Sequence, residues 1–164
     1  MKILISSFNN IRFFEPYQIP ISTPMGDPGW YHDYRNQDYI FIDKNGVFNG
    51  IHERKLSFPK DMFDVMTEPC QKNCPYKSKV PNCEFMIKYR KYLDTVDFDY
   101  IMSEFNRVAE VVNKIKPLNH EPEIVLIVYE SASCNCAERP CLVDWFKSHG
   151  VEVKEWIKSV DLFS

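Results

Sequence analysis

Cys134, Cys136, Glu138 and Arg139 crowd one short stretch of the chain, SASCNCAERP, at positions 131–140. A guanidinium beside a thiol favours the thiolate, and a helix N-terminus adds to the effect. Arg139 together with unpaired backbone N–H groups can also hold a phosphate or a carboxylate. Glu130, just upstream, is placed to orient Arg139 or to act as a base. Cys136, Arg139 and Glu130 are therefore the candidate catalytic residues, with Cys134 and Glu138 as ligand contacts. The competing reading is packing: Arg139 pairs with Glu138 or Glu130, and both cysteines fill space. Two signatures fail. A phosphatase loop needs one more residue between its Cys and Arg than Cys134 to Arg139 supplies. A zinc deaminase needs a Pro-Cys-x-x-Cys helix, and no second cysteine follows Cys141.

A second set of thiols lies in the proline-broken stretch PCQKNCPYKSKVPNC, where Cys70, Cys74 and Cys83 are spaced C-x3-C-x8-C. Three thiolates in an irregular segment can wrap a tetrahedral zinc ion, with Cys134, Cys136, His52 or His32 as the candidate fourth ligand. Such an ion would order a loop poor in apolar residues. An iron–sulfur cluster would use the same ligands. The alternative is unligated thiols.

Around these thiols the charge is one-sided. Lys72, Lys77, Lys79, Lys88, Arg90 and Lys91 face only Glu84, with Tyr76, Tyr89 and Tyr92 interleaved. Basic groups mixed with aromatics suit a nucleic acid or nucleotide. A solvated helix face over core tyrosines explains the same pattern and is favoured. Near the N-terminus, Asn10, Arg12 and Trp30 fall in two loops that share a pocket with the cysteine loop if the first strand neighbours the one preceding it. Trp30 would then stack on a base or sugar.

These residues need elements to hold them. Glu123–Ser131 reads as a strand, its apolar run from Ile124 to Tyr129 buried on both faces. Pro140–His149 reads as a helix, with Leu142, Val143, Trp145, Phe146 and His149 on one face and Gly150 as its stop. Val151–Trp156 alternates like an edge strand. The cysteine loop thus leaves a central strand and enters a helix, where open α/β sheets bind ligands. Lys2–Ser7 and Ile19–Ser22 are further strands, with a loop over Phe8–Tyr17 between them. Tyr39–Ile42 is a candidate strand, Asn45-Gly46 a turn, and Pro59 the start of a short helix to Met66. Asn82 caps a helix to Leu93. Asp97 caps the next, where Phe98, Ile101, Met102, Phe105, Val108, Ala109, Val112 and Ile115 recur at helical spacing until Pro117. The pattern predicts a single α/β domain with a mostly parallel central sheet flanked by helices.

The last unit resembles the domain-of-unknown-function 488 family. Tyr129-Glu130, Cys136, Arg139, Leu142-Val143, Trp145 and the GVEVKEW segment from Gly150 to Trp156 carry the resemblance. Ser6–Arg12, Pro20–Thr23, Gly26-Asp27-Pro28, Tyr89 and Leu93 fit more loosely. The family places a Cys-His-Arg at the helix start; here the sequence is Cys136-Ala137-Glu138-Arg139, without the histidine and one residue longer. The resemblance implies an α/β fold over residues 1–164, with an irregular cysteine-bearing insertion at 68–83 and a pocket at the cysteine loop. It implies no activity.

With 45% hydrophobic residues and a net charge of −3, the whole molecule is no nucleic-acid binder by gross charge. No stretch reads as a signal peptide or membrane span, and six cysteines then indicate a reducing, cytoplasmic setting. The expectation is a cytoplasmic α/β protein that binds an anionic small molecule or nucleotide at 131–140, with thiolate chemistry at Cys136. The alternative is a zinc-stabilised module binding nucleic acid or protein through residues 72–91.

Overall fold

Strand β1, Lys2–Ser7, forms where five consecutive residues are buried, a pattern only a strand covered on both faces sustains. Strand β2 is Gln18–Ser22, β3 Phe41–Ile42, β4 Phe48–Asn49, β5 Glu123–Val128 and β6 Val153–Glu155. The computed structural model describes residues 1–32, 40–59, 84–129 and 138–158. Within them β1, β2, β5 and β6 form a wholly parallel sheet in the order β2-β5-β1-β6, and β3 and β4 form a small antiparallel hairpin. Strand β5 is central, as its apolar run predicts. It pairs with β1 from Lys2↔Glu123 to Ser7↔Val128, and with β2 from Gln18↔Glu123 to Ser22↔Ile127. Pro20 is tolerated because β2 needs ladder donors on one side only.

Three α-helices are described: α1 (Glu84–Leu93), α2 (Phe98–Ile115) and α3 (Glu138–Ser148). They cover one face of the sheet, where Ile3, Ile5, Ile21, Ile124, Leu126 and Val128 meet Phe85, Tyr89, Phe105, Leu142, Trp145 and Phe146. The opposite face, with Leu4, Val125 and Ile127, is closed by Phe8, Ile11, Phe14, Tyr31, Val47 and Trp156, all outside the helices. The period-two alternation along β1 and β5 thus feeds two cores. Each fully buried large side chain contributes about 1.5–3 kcal/mol.

Helix α2 follows its predicted stripe. Asp97 accepts a hydrogen bond from the Tyr100 N–H at 3.1 Å, and Ile101, Phe105, Ala109 and Val112 are buried. Ile115 is not; it is 58% exposed, because the stripe outlasts the sheet it packs on. The Asn45-Gly46 turn is present. Gly46 has φ +83°, and Asp43 accepts from the N–H groups of Asn45 and Val47 through its side chain.

Four expectations are corrected. Phe8–Phe13 is a 3-10 turn rather than open loop, anchored by buried Phe8 and Ile11. Strand β5 stops at Val128, and Tyr129 is 54% exposed where the sheet ends. Helix α3 starts at Glu138, so Glu138 and Arg139 belong to its first turn and not to the loop. Strand β6 is confined to Val153–Glu155, shorter than the expected Val151–Trp156, and pairs with β1 at the sheet's edge. The expected helix from Pro59 to Met66, the Asn82 cap and the 68–83 insertion lie wholly or mostly outside the described residues. Among the described residues no helix is long and apolar enough to cross a membrane.

Candidate functional site at the carboxyl edge of the sheet

The parallel strands β2, β5 and β1 end side by side, and the residues that follow them build the site. After β1 comes Phe8, 4% exposed; after β5 comes Tyr129. Their rings lie 4.8 Å apart. Trp30, from the turn that follows β2, stands edge-on to Phe8 at 6.2 Å and is 47% exposed. Tyr31 packs edge-on against Phe8 at 5.4 Å and is fully buried. Its hydroxyl donates toward the Ile51 carbonyl (2.6 Å) and the Pro20 carbonyl (3.0 Å). Burial, with the nearby Asp27 carboxylate, pushes its phenol well above the ordinary tyrosine range. The result is an aromatic shelf. Phe8 and Tyr31 are its base, and Trp30 and Tyr129 are its exposed edges.

Beside the shelf is a polar cluster. Residues Ile51–Glu53 run alongside the end of β2: the Ser22 N–H donates to the Ile51 carbonyl and the Glu53 N–H to the Ser22 carbonyl, both at 2.9 Å. That pairing delivers Arg54 to the loop after β2. Its Nη2 lies 2.6 Å from Asp27 Oδ2, and its Nη1 3.2 Å from both Asp27 Oδ1 and Ser22 Oγ. Nη1 also donates to the Pro24 carbonyl, and the Ser22 hydroxyl to Asp27. His32 Nε2 meets Asp27 Oδ2 at 2.6 Å. The Asp27 side chain is 0% exposed. A carboxylate so buried requires these partners. His52, across the bridge from Ser22, has its pKa lowered by burial and by the Arg54 charge.

The predicted residues fall unevenly around this edge. Arg12 and Trp30 do share a cleft, about 530 Å³ in volume, together with Phe8, Phe41, Lys44 and Asn49. Asn10 is spent on the sheet end instead, donating to Ser6 Oγ at 2.9 Å. Arg139 is 5% exposed and donates to the Glu155 carboxylate. Glu155 is thus one partner of Arg139, and the pair ties α3 to β6; the Glu130 of the packing reading lies outside the described residues. Glu138 is buried beside Arg139. The Cys141 thiol, also buried, donates to the Met86 carbonyl at 3.5 Å. Cys134, Cys136 and Glu130, and the zinc candidates Cys70, Cys74 and Cys83, lie outside the described residues. Among the described residues no group of three His, Cys, Asp or Glu side chains is placed to hold a metal ion. Of the basic segment, Arg90 is paired with Asp94 at 2.5 Å and Asp144 at 2.8 Å. That is the fastening of a helix face.

Asp27, Arg54, His32 and Tyr129 carry the site's polar and aromatic character; sequence reasoning gave Asp27, Arg54 and Tyr129 no binding role and named His32 only as a candidate fourth zinc ligand. Gly26-Asp27-Pro28 reads as a turn, and the Ser22–His52 bridge, with the Tyr31–Ile51 hydrogen bond, brings Arg54 to it from 27 residues away. Fold and site together define an α/β protein whose parallel sheet presents an aromatic and charged carboxyl edge. No family model, no curated protein and no solved structure matches the chain.

Proposed function

We propose that the chain binds an anionic small molecule, a nucleotide above all, at the carboxyl edge of its parallel sheet. The observation that carries this reading is the aromatic shelf. Trp30 and Tyr129 are about half exposed, yet both are held in place by buried Phe8. A large exposed aromatic fixed at the carboxyl ends of parallel strands suits a planar ring, because stacking needs only a π-face. In the adjoining cleft Arg12 and Lys44 outnumber the carboxylate of Asp43 and leave a net positive charge for an anionic group.

Cys136, in the sequence between Tyr129 and α3, stays in the reading as a thiolate candidate. Arg139 does not enter it as an anion ligand, since its charge is matched by Glu155. The family resemblance supports the reading through Tyr129, Cys136 and the α3 unit. It implies a pocket at the same loop.

Native mass spectrometry of freshly purified protein tests this. A retained adduct with the mass of an anionic metabolite, lost in Trp30→Ala, is the expected result. An adduct of zinc alone that disappears with chelator favours the metal-stabilised module. No adduct, and no binding of nucleotides up to about 1 mM, where affinity falls to about −4 kcal/mol, contradicts the proposal.

A further inference from the structure

Two guanidinium–carboxylate pairs flank the sheet with opposite burial. In Arg139–Glu155 the cation is buried and the carboxylate is the more exposed partner. In Arg54–Asp27 the carboxylate is sealed and the Arg54 side chain is 32% exposed. The second arrangement holds a cation rigidly with its outer side toward solvent. The donors of Arg54 are partly used: Nη1 serves Ser22, Pro24 and Asp27, and one Nη2–H serves Asp27. A guanidinium has five N–H donors. The Nε–H and the second Nη2–H have no partner among the described residues. His32 bonds the same carboxylate through Nε2, so Asp27 cannot swing away and Arg54 stays where it is.

The pair is close to the aromatic shelf. His32 follows Tyr31, whose ring lies 6.2 Å from Trp30. The Asp27 and Arg54 charges are both felt at the Tyr129 phenol, which burial first raises above its usual range. The Tyr31 hydroxyl also reaches the Ile51 carbonyl at 2.6 Å, in the segment that delivers Arg54, so the shelf and the guanidinium share one strand end.

We infer that Arg54 is the phosphate-recognising residue of the carboxyl-edge site, that Asp27 is its positioning residue, and that the ligand class is a nucleoside phosphate rather than a neutral nucleoside. This rests on the shelf being a binding site. A rigid, pre-oriented guanidinium suits a phosphate because its planar donors match two oxygens at once and little entropy is lost on contact.

The test is isothermal titration of the full chain with adenosine, adenosine 5′-monophosphate and inorganic pyrophosphate as probes. The monophosphate is expected to bind roughly tenfold or more tightly than adenosine, the worth of one charge-assisted contact. In Arg54→Gln that preference should collapse toward unity while adenosine binding stays within about twofold. In Arg54→Lys it should recover only in part, since the planar fork is lost. Should Arg54→Gln misfold by stranding Asp27, the paired variant Asp27→Asn/Arg54→Gln removes both charges and keeps the shape. Trp30→Ala should weaken both nucleoside probes alike. Adenosine and its monophosphate binding equally well in the wild type, or a preference that survives Arg54→Gln or the paired variant, overturns the Arg54 assignment and leaves the shelf standing. Pyrophosphate binding that needs Arg54, with neither nucleoside probe bound, overturns the nucleoside-phosphate class and the shelf with it but keeps Arg54 as an anion site. No binding of any probe overturns both.

Discussion

The two edges of the sheet make opposite use of the same ion pair. Beyond β2, Asp27 is sealed and Arg54 is turned outward; beside β6, Arg139 is sealed and Glu155 is 36% exposed. In both pairs the buried partner needs the other, because an uncompensated charge in the interior is costly. The exposed partner decides what the edge offers to solvent. One edge offers a fixed cation beside an aromatic shelf. The other offers a carboxylate beside a packed helix. The direction in which such a pair is buried decides which charge the edge shows to solvent.

The comparison breaks first at its buried ends. Asp27→Ala removes the carboxylate that holds Arg54, His32 and Ser22, and should cost about 3 kcal/mol, the low end for breaking a buried pair, since Arg54 and His32 can regain water. Denaturant unfolding reads this directly. Arg139→Met should cost somewhat less, about 2 kcal/mol, because Glu155 is already partly hydrated. In thermal unfolding that is a fall of roughly 4–8 °C for a chain of this size. It should leave nucleotide affinity within about twofold. A large loss of affinity with intact folding would return Arg139 to the site.

A sharper contrast comes from Trp30→Ala. Its ring is half exposed, so stability should change by only about 0.5 kcal/mol. Nucleotide affinity should drop by the worth of one stacked base, about 1–3 kcal/mol. Equal losses in both would mean that the shelf is merely core.

The smallest effect concerns His52, whose pKa is lowered by burial and by Arg54. A histidine with a depressed folded pKa binds fewer protons when folded than when unfolded. Stability is therefore full above the ordinary histidine pKa of about 6.5 and declines as pH falls through it toward the folded value. His52→Gln should flatten that part of the acid limb in urea melts taken between about pH 7 and pH 5. An unchanged limb would remove His52 from the account.

Much of the fold was legible because it rests on continuous local signals. The apolar runs of β1 and β5 and the 3.6-residue stripe of α2 each lie within one stretch of sequence, and each element formed where its pattern lay. The edges of elements were less legible. Tyr129 continues the apolar run of β5 but stands where the sheet has ended, and Ile115 outlasts the packing surface of α2. Arg139 was read as a loop residue because its ion-pair partner lies 16 positions away in another strand, and nothing local announces a buried arginine. The Asp27 cluster was illegible for the same reason. Its members are scattered from Ser22 to Arg54, and the Ser22–His52 bridge, with the Tyr31–Ile51 hydrogen bond, assembles them. Arg12 and Trp30 line one cleft because the turns that carry them follow β1 and β2, the two strands that flank β5.

The most direct measurement uses the three tryptophans as internal reporters. Trp30 is exposed on the shelf, Trp145 is buried in α3 beyond Arg139, and Trp156 is buried behind β6. In a ¹H–¹⁵N spectrum titrated with adenosine 5′-monophosphate, the Trp30 indole signal should shift in a saturable way, with the backbone signals of Phe8, Tyr129 and Arg54 following. The Trp145 and Trp156 indoles should stay still. Saturable shifts confined to residues where α1 meets α3, such as Met86 and Cys141, or a Trp30 indole that never moves, would contradict a nucleotide site at the carboxyl edge.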